Sequence, residues 1–106
     1  MKIGTLEDIN SRFLDLLEAS THDECDQYYL EINASALLLA LHILSEQIKR
    51  GTVVIDNGEK VASILDEVHE QLSFKIKTID KKILINKILK SYDIFKSKIS
   101  YNPGIN

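Results

Sequence analysis

Apolar residues in this chain recur mostly three and four apart, the period of a helix with one buried face. Leu6, Ile9, Phe13, Leu16 and Leu17 trace one such face, opened by Thr5 with Asp8 three residues on, the spacing of a capping box. This predicts a first helix from Thr5 to near Ala19. A second stretch, from Thr21 to Arg50, has neither glycine nor proline. It stops at Gly51, where a left-handed terminator belongs, with Lys49 and Arg50 in the last turn. Such a helix of about thirty residues is long for a globular protein, so a kink around residues 33–35 is an open alternative. Its middle, ALLLALHIL, is apolar nearly all round and predicts a central helix buried against several neighbours.

The passage GTVVIDNGEK is ambiguous, because Asn57-Gly58 between two apolar runs is a strong hairpin signal. Downstream, Val61, Ile64, Leu65, Val68 and Leu72 follow helical spacing, which would scatter a strand's side chains over both faces. Residues 51–56 are therefore expected to be an extended connector with buried Val and Ile anchors, and 57 to about 75 a third helix, with Asp56 and Glu59 at its start. A fourth helix follows Thr78 or Asp80 and runs to about Ser100. The tail YNPGIN, with the chain's one proline, ends it. The expected fold is all-α, an irregular antiparallel four-helix bundle with a long central second helix. At 106 residues it forms a single domain, with 101–106 as a fraying tail.

Composition narrows the function classes. An apolar share of 44% with 27% charged residues is that of a folded globular protein. One cysteine permits no internal disulfide and no all-thiolate zinc site, which points to the cytoplasm. The start MKIGTLEDIN has no signal-peptide pattern. The unbroken apolar run of residues 36–41 is far shorter than the roughly twenty residues of a membrane span, so no membrane association is expected. The net charge of −3 hides an asymmetry: residues 1–31 carry eight acids and two bases, and residues 75–98 carry eight lysines and two aspartates. Two charged surfaces of opposite sign follow.

THDECD, residues 21–26, gathers a histidine, the cysteine and three carboxylates. Read as a helix start, Thr21 caps and Glu24 completes a capping box, while Asp23, Glu24 and Asp26 complement the dipole. A metal ion would find two or three ligands here and no second cluster to close its shell. The same carboxylates oppose formation of a Cys25 thiolate, which makes the cysteine a poor nucleophile. Elsewhere, His42 with Glu46, and Asp66 with His69, form a second ligand set for a metal or small molecule in the bundle interior. No phosphate loop and no nucleophile elbow occurs, so neither an enzyme nor a bound cofactor is expected.

Helix four does not confine its apolar residues to one face. Leu84, Ile88, Tyr92, Phe95 and Ile99 share an arc, whereas Ile83 and Ile94 fall roughly opposite, among Lys87 and Lys90. That second stripe is a candidate docking face for an acidic protein surface or for self-association, with Asp15, Glu18, Asp23 and Asp26 of a second copy as the acidic side of a homodimer. Nucleic acid is a weaker match for these lysines, given two arginines in the whole chain and net acidity. In size, composition and four-helix reading the chain resembles small bacterial and phage interaction proteins: bacteriocin-immunity proteins, antitoxins, phage inhibitors and secretion chaperones. The resemblance is one of architecture, and it implies direct protein-protein contact. The expectation is a non-catalytic protein-binding module, and the alternatives are a metal- or ligand-binding regulatory domain and a nucleic-acid accessory protein.

Overall fold

The computed structural model describes residues 5–22, 24, 26–74 and 79–99. Four helices follow one another: α1 (Leu6–Ser20), α2 (Gln27–Lys49), α3 (Gly58–Leu72) and α4 (Lys81–Lys98). They form the expected antiparallel bundle, in which α2 packs on α1, α3 and α4, and α4 also packs on α1 and α3.

Local chemistry sets most of the ends. Thr5 Oγ1 accepts the Asp8 amide at 3.0 Å and starts α1. The Asp8 carboxylate pairs with Arg12 at 2.9 Å, one turn along. At the end of α2, Gly51 adopts φ +77°. Its amide donates to the Ile48 carbonyl and the Thr52 amide to that of Gln47, the paired bonds of a Schellman motif. Asp80 caps α4 by accepting the Lys82 amide at 2.8 Å. The third helix ends at Leu72, slightly short of the expected 75, where Ser73 turns extended.

One boundary needs correction. Thr21 does not start α2; it closes α1, its amide and hydroxyl both donating to the Glu18 carbonyl at 3.1 and 2.7 Å. Asp26 is the cap of α2, accepting the Tyr28 amide at 3.1 Å. Two antiparallel helices separated by Ser20 alone could not reverse direction, since such connections take roughly two to eight residues. THDECD supplies that length. Asp23 and Cys25 lie outside the described residues. Beyond its cap, α2 runs unbroken through residues 33–35.

The connector is extended as expected and alternates: Val53 and Ile55 pack on the core, while Val54 points out at 88% exposure. Asn57 takes the left-handed conformation, φ 57°, and Gly58 opens α3. A Cβ on Gly58 would stand 3.1 Å from Ile48 Cγ2, so the Asn-Gly pair serves a close helix crossing rather than a hairpin.

Phe13, Leu37, Leu41, Leu65, Leu84 and Phe95 lie at the centre of the core. Phe13 stacks obliquely with Tyr92 at 5.2 Å and with Phe95 at 5.7 Å between ring centroids, joining α1 to α4. The Tyr92 hydroxyl donates to Asn10 at 3.1 Å. Gln27 Nε2 donates to the Ile79 carbonyl, tying the start of α2 to that of α4.

Candidate docking surface

The polar residues of α2 and α3 meet along one seam. Ser45, fully buried, donates to Asp66 Oδ1 at 2.7 Å, and Lys49 Nζ reaches Asp66 Oδ2 at 2.7 Å. Both oxygens of that carboxylate are therefore engaged. Burial acts to raise the Asp66 carboxyl, but the hydrogen bonds from Lys49 and Ser45, with the charges of Lys49 and His69, outweigh it and hold the group below its ordinary value. The hydrogen bond to Asp66 correspondingly raises Lys49, against its own desolvation. The His42 and His69 rings stand 6.3 Å apart. Burial first, and then the charge of His42, hold His69 below 6.5, with Asp66 opposing. Glu46 leans toward Lys49 at 3.9 Å and Arg50 at 3.8 Å.

The structure thus brings His42, Glu46, Asp66 and His69 onto one seam, but at the bundle surface rather than in its interior, with His42 and Asp66 exposed and Glu46 and His69 half-buried. It does not converge them: among the described residues no three His, Cys, Asp or Glu side chains are placed to share a metal ion. Asp66 instead serves as the polar bond between α2 and α3.

On α4, Ile83 is 54% exposed and Lys90 is exposed, but Lys87 is half-buried and Ile94, also half-buried, packs against the core. The exposed apolar part of that stripe is Ile83. Its acidic counterparts Asp15, Glu18 and Asp26 are exposed, and Glu18 flanks the turn that leads to the Asp26 cap.

Sequence reasoning missed the most apolar surface. On α2, Tyr28, Ile32 and Leu39 are 57%, 53% and 59% exposed. With half-buried Ala36 and Ile43 they fall within one arc at 100° per residue, opposite the buried line of Leu30, Leu37, Leu41, Leu44 and Ile48. Between Gln27 and Ser45 the only carboxylate is Glu31, which is buried, and no lysine or arginine occurs. As expected, α2 is the central helix and packs on several neighbours, but those three cover one side of it and leave the other, also apolar, to solvent. Four helices arranged around one core give each a solvent side, so ALLLALHIL flanked by YY and Ile32 already held the signal. The same helix is 23 residues long, and an 18-residue stretch of it reaches a mean hydropathy of 1.3, enough by length and composition alone to cross a membrane, a test that the core helix of a soluble protein also passes.

No family model matches the chain, and no curated protein or solved structure is significantly similar to it.

Proposed function

We propose that the protein acts by binding another protein through the outer face of α2, in the manner of a small helical inhibitor, immunity protein, antitoxin or chaperone, with no chemistry of its own. The observation that carries this reading is the uncharged face itself, on which Tyr28, Ile32 and Leu39 are each more than half exposed. Exposed apolar patches on soluble domains mark interaction sites far more often than scattered single residues do, and tyrosine is a favoured contact residue. A second reading places an acidic partner on Ile83, Lys87 and Lys90. It is supported by the exposure of Ile83 and by the lack of an ion pair to Lys87 or Lys90 among the described residues.

Affinity capture from cells with three baits separates the two: wild type, Ile32→Glu with Leu39→Glu, and Ile83→Asp with Lys87→Glu. All four substituted positions lie at or near the surface, so far-UV circular dichroism should be unchanged. A protein retained by wild type and by the α4 variant but lost with the α2 variant is the expected result. Loss with the α4 variant alone would favour the second reading, and equal retention by all three baits would refute both.

A further inference from the structure

We infer that a second copy of this chain covers the outer face of α2, in an antiparallel contact of α2 with its twin about a twofold axis passing between Ser35 and Ala36. The inference rests on reading that face as a docking surface and names its occupant in the free protein, a weak self-contact that a partner binding there displaces. Three observations select it.

The face is symmetric along its own length. Tyr28 and Ile43 are equidistant from the point between Ser35 and Ala36, and so are Ile32 and Leu39. An isologous contact requires that residue i meet residue j while j meets i, and this spacing satisfies it: each Tyr28 meets the other copy's Ile43, each Ile32 the other's Leu39. Ser35 and Ala36 are the smallest residues at the centre, where the helix axes approach most closely.

The ends of the helix are complementary to each other. At the N-terminal end stand Glu24 and, from the last turn of α1, Glu18; at the C-terminal end stand Lys49 and Arg50. The Arg50 side chain is 78% exposed and only loosely held, 3.8 Å from Glu46. Antiparallel pairing sets acidic end against basic end twice and opposes the two helix dipoles, whereas parallel pairing stacks like charges. Between the ends the face carries no exposed charge, so a strongly charged partner gains little there and an identical face matches it.

The stripe spans about 22 Å at 1.5 Å per residue, a single-helix contact at the small end of specific interfaces, so the dimer is weak and concentration-dependent.

Cross-linking of the full chain tests this. In a Cys25→Ser background, single cysteines at Ala36→Cys, Tyr28→Cys and Ile43→Cys are treated with a short bis-maleimide. Ala36→Cys alone, and Tyr28→Cys mixed with Ile43→Cys, should yield a species of twice 12.0 kDa. Tyr28→Cys alone should not, and adding Leu39→Glu should reduce each yield at least tenfold. Cross-linking of Tyr28→Cys alone at the yield of Ala36→Cys would overturn the antiparallel arrangement. A wild-type chain that stays at 12.0 kDa at every concentration overturns the self-contact. If that monomer still captures a protein in a Leu39-dependent way, docking through α2 stands without a second copy; if it instead floats with phosphatidylcholine vesicles, a lipid surface is the occupant and both readings fall.

Discussion

Asp26 and Thr21 stand at two ends of one turn, and only Asp26 caps α2. Replacing an N-cap aspartate by alanine typically costs about 1 kcal/mol. Asp26→Ala should therefore lower stability by roughly that amount in urea titration, while Thr21→Ala, at an exposed helix end, should change it by less than about 0.5 kcal/mol. Equal effects, or the reverse order, would restore Thr21 as the start of α2. Gly58 makes a second residue-level demand: a Cβ there meets Ile48 Cγ2 at 3.1 Å. Gly58→Ala should destabilise by about 1 kcal/mol or more despite alanine's better helix propensity, and Ile48→Ala in the same chain should make the added methyl less costly. Thr5, Gly51 and Asp80 were legible because each acts on backbone groups within three or four residues. THDECD was not, because Thr21 with Glu24 and Asp26 with Tyr28 present equally good local patterns, and chain reversal decides between them.

Among the elements, α2 was legible as the central helix and illegible as a surface. Its apolar residues are too many for one face, and a count of them does not say whether the excess meets a neighbour or solvent. The structure puts Leu30, Leu37, Leu41 and Leu44 in the core and Tyr28, Ile32 and Leu39 outside. The seam with α3 was half legible: the spacing of Asp66 and His69 singled out the right residues, but the use of both Asp66 oxygens by Ser45 and Lys49 depends on which helix lies alongside. That seam makes stability depend on pH. His69 is held below 6.5 in the folded chain, so the unfolded chain binds the proton first and stability falls as pH drops from about 6.5 through the folded value. Asp66 is held below 3.8, so its contribution is complete above 3.8 and is lost as pH falls through the lower folded value. Urea midpoints measured from pH 7 to pH 5 should decline in wild type and flatten with His69→Gln. An unchanged slope would show that another group carries the titration.

For the whole molecule, the ion pairs among the described residues lie within α1 and α2 or join α3 to α2 and α4. What joins α1 to α4 is Phe13 against Tyr92 and Phe95, with Tyr92 bonded to Asn10. Phe13→Ala should cost about 3–5 kcal/mol, a large part of the stability of a domain this size, and thermal melting should show it. Raising the salt concentration should matter far less, since the exposed pairs contribute little. If a second copy occupies the uncovered face of α2, as we infer, the chain must self-associate through that face. Sedimentation equilibrium over a concentration series tests it most directly. The weight-average mass should rise from 12.0 kDa toward twice that value in wild type and remain at 12.0 kDa with Leu39→Glu. A wild-type mass fixed at 12.0 kDa, or a dimer that Leu39→Glu leaves intact, would contradict it.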